Sequence, residues 1–129
     1  MADFINILSS LPDFYSLTGA SGEQIAQAER ALSLRFAVDY RQYVRAFGAV
    51  SAAGHELTGV CASMRLNVVE VTLSARSVQP AVPQDWYVLE EANIDGIVIW
   101  QSGAGEVFQT QPGAEPVKLA ASIREYLDM

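Results

Sequence analysis

The chain has 129 residues, half of them hydrophobic, and carries 15 acidic against 8 basic side chains, for a net charge of −7. That length holds one domain, and that much apolar side chain supports a core and argues against disorder. No apolar run is long enough to span a bilayer, the N-terminal stretch lacks the basic region of a signal peptide, and a single cysteine, Cys61, rules out an internal disulfide and fits a reducing cytoplasm.

Residues 3–11 place Phe4, Ile5, Leu8 and Leu11 at helical spacing before Pro12, which predicts a short helix. The next helix opens at Ser21. Gln24 stands three residues on, a capping-box pattern in which each side chain can bond the other's backbone N–H. Ile25, Ala28 and Leu32 then line one face. Leu34 and Phe36 form an extended link. Tyr40, Tyr43, Val44 and Phe47 recur at i, i+3, i+4 and i+7, the apolar stripe of a second helix. Asp39 suits the positive end of its dipole, Arg45 the negative end, and Gly48 fits its C-terminal cap. An aromatic stripe at this spacing reads as core packing.

The middle is less clear. GHELTGV (54–60) alternates as a strand, with His55, Leu57 and Gly59 on one side and Glu56, Thr58 and Val60 on the other. LNVVEVTLSAR (66–76) is ambiguous. Its β-branched content favours a strand; Asn67 with Glu70 three residues on reads as a helix cap, with Val69, Thr72, Leu73 and Arg76 on one face. Beyond Pro80 and Pro83, residues 86–91 predict a strand, 93–96 a turn and 97–100 a buried strand. Residues 101–105 form a Gly-rich turn and 106–110 a strand, so that 97–110 is a hairpin. After a loop at 111–116, residues 122–127 form a terminal helix with Ile123, Tyr126 and Leu127 on its apolar side. Helices, then strands, then a helix indicate one α+β domain with an antiparallel or mixed sheet.

Chemical motifs are sparse. There is no phosphate-binding loop, and the Gly103–Gly105 glycines lie in a hairpin rather than between a strand and a helix. One His and one Cys cannot supply a usual zinc site, so no metal and no cofactor is expected. His55 and Glu56 fall on opposite faces of a strand and make poor catalytic partners. The expected roles are a structural hydrogen bond for His55 and a small buried side chain for Cys61. No enzymatic activity is expected; an enzyme would instead need a pocket holding His55 and a carboxylate of shifted pKa.

Charge carries more information. Segment 85–129 holds eight acids and two bases, a net −6, while four of the eight bases (Arg30, Arg35, Arg41, Arg45) lie between positions 30 and 45. An acidic surface repels nucleic acid and attracts basic partners. It also serves solubility alone, and composition does not separate the two.

The stretch SGEQIAQAERALSLRFAVDYRQYVRAFGAV (21–50) resembles the leading motif of the SUKH superfamily, named for fungal cell-wall assembly regulators and their bacterial relatives. The likeness runs through GHELTGV, NVVEVTLSAR and DGIVIWQSGAGEVFQT into SIREYL, and covers positions 17–127. Ala37 departs from the pattern, where the family usually has Pro. The resemblance implies a helix at 67–76 and a single SUKH-like domain over 1–129. For function it implies a cytoplasmic bacterial immunity protein that binds and neutralises a cognate protein toxin, such as a basic nuclease, without catalysis and without contact to nucleic acid or membrane. The binding face expected for such a role comprises Glu56, Trp86, Glu90, Glu91, Asp95, Trp100 and Glu106; Trp86 and Trp100 can equally be core residues. The other function class is a housekeeping or regulatory interaction module without a toxin.

Overall fold

The computed structural model describes residues 3–129. One buried and one half-buried carboxylate decide how the halves of the chain meet. The N-terminal half contributes α1 (Phe4–Ser9), β1 (Tyr15–Ser16), α2 (Gly22–Leu32), α3 (Val38–Phe47), β2 (Val50–Ala52) and β3 (His55–Glu56). The rest follows as α4 (Val68–Val78), β4 (Tyr87–Glu91), β5 (Val98–Gln101), β6 (Val107–Thr110), β7 (Val117–Ala120) and α5 (Ile123–Leu127). The strands form two antiparallel sheets, ordered β1-β2-β3 and β4-β5-β6-β7. An antiparallel bridge between Leu57 and Glu90 joins them, so the expected α+β class holds, with every ladder antiparallel. No helix among the described residues is long and apolar enough to cross a membrane.

Local chemistry starts the helices. Ser21 and Gln24 close the reciprocal capping box at α2, at 3.1 and 2.9 Å. Asn67 caps α4 by accepting from the Val69 and Glu70 amides, so the cap overrides β propensity and 68–78 is helical. Ala37 begins α3 with no side-chain cap. Its own N–H donates to the buried Tyr87 hydroxyl at 3.0 Å, a bond that a proline there would lack. Gly48 ends α3 at a φ of 72°, and a side chain there would collide with the Thr18 carbonyl. A Cβ at Gly59 would in turn strike the Gly48 carbonyl, so three backbone segments cross where only glycine fits.

Tyr40, Tyr43 and Val44 are fully buried, as the stripe requires, with Phe47 packed at the margin. Their hydroxyls are satisfied. Tyr40 shares a 2.9 Å hydrogen bond with Thr58 Oγ1. Tyr43 donates to the Thr58 carbonyl at 2.6 Å and accepts from the Val50 amide. Thr58 in turn donates to the Val88 carbonyl on β4. This polar thread inside an apolar core meets the rule that buried polar groups are paired.

Three expectations need correction. GHELTGV does not continue as an alternating strand past Glu56: Leu57 and Thr58 are both buried, because the chain there passes between α3 and β4. The buried stripe of α4 is Val68, Val71 and Thr72, with Ala75 half-covered. Leu73 is exposed, since α4 is held by α2 on one side and β4 on the other. Cys61 is half-exposed rather than buried. Strands β1, β2 and β7 also extend the sheets beyond the strands expected.

Burial raises the phenol pKa of Tyr40, Tyr43 and Tyr87 well above the ordinary 10.0, and burial together with the Glu90 carboxylate does the same at Tyr126. A pKa raised on folding contributes stability that is complete below the unfolded value and is lost as pH rises past it. Stability should therefore hold from neutral pH to about 10 and then fall. In an alkaline titration the phenolate absorbance of these four tyrosines should appear together with loss of circular dichroism; their ionisation in a protein that keeps its fold would contradict this packing.

Candidate protein interface

Glu90 is the carboxylate that joins the small sheet, the large sheet and the terminal helix. Its Oε1 accepts from the Tyr126 hydroxyl of α5 at 2.6 Å and lies 2.9 Å from His55 Nδ1; its Oε2 accepts from the Glu56 amide at 2.6 Å. It is 7 % exposed. This overturns its placement on a surface face: a carboxylate enters the interior only where donors replace its water, and here three do. The same contact gives His55 the structural hydrogen bond expected of it.

The tryptophans also lie inside. Trp100 is wholly buried, with its indole N–H donating to Thr110 Oγ1 at 2.8 Å. Trp86 is 7 % exposed and stacks on Phe108 at 4.2 Å, roofing Trp100. With Val71 and Val88 they form a second apolar cluster beneath α4. The alternation of β5 sends Trp100 to the sheet face that α4 covers, so neither ring is offered as an anchor.

Four expected acids stay at the surface. Glu56 is paired with the Arg65 guanidinium, Arg65 Nη2 donating to Glu56 Oε2 at 2.9 Å, and this partner holds its carboxyl below the usual range. Glu106 is paired with Lys118 at 2.8 Å. Exposed ion pairs of this kind contribute little to stability, but they cancel charge locally. Glu91 and Asp95 are exposed and have no cation partner among the described residues.

The topology brings Glu91 and Asp95 to one end of the large sheet, where the β4–β5 turn (92–97) meets the β6–β7 loop (111–116). The two are in contact, since a Cβ at Gly96 would lie 2.9 Å from Pro112 Cγ. Asn93, Asp95 and Gly96 have φ of 58°, 53° and 70°, conformations that Asn, Asp and Gly tolerate best. Glu115, in the second loop, adds a third exposed carboxylate. Ile94, 60 % exposed, lies between Glu91 and Asp95 in the first turn, whereas Val117, 54 % exposed, shares a row with Gln109 and Ile99 on the other sheet face from Glu91. The whole stretch 77–117 contains no Lys, Arg or His and six acids. Glu115 and Ile94 are absent from the expected face. The signal for them was the spacing of the turns at 93–96 and 111–116 on alternate hairpins, which puts both at the same sheet end.

No group of three or more His, Cys, Asp or Glu side chains among the described residues is placed to hold a metal ion. The tip can do electrostatic recognition: three solvated carboxylates beside the exposed Ile94 side chain, on turns braced against each other. Glu90→Lys should abolish folding, because it replaces an acceptor of three hydrogen bonds by a buried cation. Its neighbour Glu91→Lys should leave the melting temperature within about 3 °C of wild type. Thermal melts of the two variants check this; a folded Glu90→Lys protein would contradict the buried junction.

No curated protein matches the chain. A family model described as SMI1-KNR4 cell-wall matches residues 1–128, nearly the whole chain. The chain belongs to the SUKH superfamily.

Proposed function

We propose that the protein is a bacterial immunity protein of the cytoplasm that neutralises a cognate basic toxin, of the nuclease kind, by covering its cationic face. The observation that carries this reading is the sheet tip, where Glu91, Asp95 and Glu115 are exposed with Ile94 and no cation occurs from 77 to 117. A nuclease grips phosphates with Lys and Arg. Carboxylates held on braced turns compete for those groups, speed encounter and repel wrong partners. The exposed Ile94 supplies apolar contact area within the patch. Nucleic acid itself is repelled by such a surface, and the role needs no chemistry from the chain. The only histidine is engaged by a buried carboxylate. Membership of the SUKH superfamily is consistent with this role.

A second reading is a housekeeping or regulatory interaction module without a toxin, which the cell-wall description of the matching family favours. The two separate in co-culture. A strain lacking the gene should lose ground only when grown against its own parent. Wild-type protein should restore it, and the Glu91→Lys, Asp95→Lys, Glu115→Lys triple variant should not, although that variant melts within about 3 °C of wild type. An equal defect in pure culture would favour the regulatory reading. Full protection by the triple variant would overturn the proposed face.

A further inference from the structure

The bridge at Leu57 and Glu90 makes the seven strands continuous, which leaves β1 and β7 as the two free edges among the described residues. Free strand edges invite pairing with other chains, and proteins blunt them with Pro and Lys. β7 is blunted: Pro116 precedes it and Lys118 is exposed on it. β1 carries neither. Its register sets Tyr15 opposite Ser51 and Ser16 opposite Val50, and the Leu17 amide donates to the Ala49 carbonyl at 3.0 Å. Val50 uses its own N–H and C=O on Tyr43 and Leu57. Ser16 is therefore a non-hydrogen-bonded pair, and its N–H and C=O point away from β2. Two residues on, the Thr18 N–H also has no partner among the described residues.

This edge opens onto a groove of about 1070 Å³ between residues 15–20, α2 and residues 60–70. Leu17, Ala28, Ala31 and Val69 give it an apolar lining of mostly small side chains, and its only charged lining residue is Glu70. We propose that the groove takes an extended segment of a partner protein, added as an antiparallel or parallel strand to β1. Main-chain hydrogen bonds to Ser16 and Thr18 hold it, and pockets for alternate side chains select it. Small apolar side chains face Ala28 and Ala31. A Lys or Arg faces Glu70, since the groove has no cation of its own to receive an acidic segment and the chain as a whole is at −7. This surface uses none of the residues of the acidic tip and stands whether or not the toxin reading does.

The test is selection of phage-displayed random peptides of about ten residues, the length of a long strand, on the wild-type protein. Counter-selection uses Ala31→Trp, which fills the groove from an exposed position on α2. The expected result is a set of peptides rich in Lys or Arg that bind wild type at least about tenfold more tightly than Ala31→Trp, and more tightly than Glu70→Lys. Bound peptide should slow hydrogen exchange at the Ser16 and Thr18 amides, and N-methylation of its alternate residues should abolish binding. The triple Lys variant of the acidic tip should bind these peptides as wild type does, which keeps this outcome apart from the fate of the immunity reading. Failure to select any peptide, equal binding to Ala31→Trp, acidic consensus sequences, protection at Lys118–Ala120 instead, or dimerisation of the chain itself through Ala31 would each overturn the proposal.

Discussion

The fold depends on two carboxylates, one buried and one half-buried, that hold distant segments together. Glu90 gathers β3, β4 and α5 at one point. Asp39, at the start of α3, accepts from the Gln101 side chain on β5 at 2.9 Å and from the Ile123 amide at the start of α5 at 3.0 Å. Gln101 also accepts from Tyr87, whose hydroxyl receives the Ala37 amide. The terminal helix is thus fastened at both ends by acids from elsewhere in the chain. A carboxylate drawn wholly or partly out of water is costly unless its donors are in place, so these junctions form only when helices, sheets and terminal helix are all in their native positions.

That division of labour shapes the surface. Of the acids in the C-terminal half, Glu90 is consumed by the core and Glu106 is matched by Lys118. Glu91, Asp95 and Glu115 are left unmatched at one end of the sheet and form a local patch, while Asp85, Glu125 and Asp128 lie elsewhere. A single position decides the contrast: Glu90 and Glu91 are chemically identical neighbours, one in each environment, because strand alternation turns them to opposite sides.

Features set by neighbours in sequence could be read directly. The caps at Ser21 and Asn67, the aromatic stripe of α3, the Gly48 stop and the β5–β6 hairpin all rest on contacts within a few residues. Strands β1 and β2 were not legible, because they are only two and three residues long, and β1 finds its partner tens of residues away. The buried stripe of α4 depends on which element covers it, which periodicity in a Val-rich segment does not reveal. The candidate site was half legible. Charge pointed to Glu91 and Asp95, but burial of Glu90 depends on His55 and Tyr126, 35 and 36 residues away. Burial of the tryptophans depends on α4. The contribution of Ile94 and Glu115 emerges only when the two turns are brought side by side.

The central claim is that the unmatched acids of the sheet tip exist to meet a basic protein. It is tested most directly by recovering tagged wild-type protein from its native cells, washing at rising salt and identifying what remains by mass spectrometry. The expected result is one stoichiometric partner with a basic, nuclease-like domain, retained at physiological ionic strength and released as added salt screens the charges. A recovered partner that is acidic, or one whose retention is indifferent to salt, would contradict the claim, as would the absence of any stoichiometric partner.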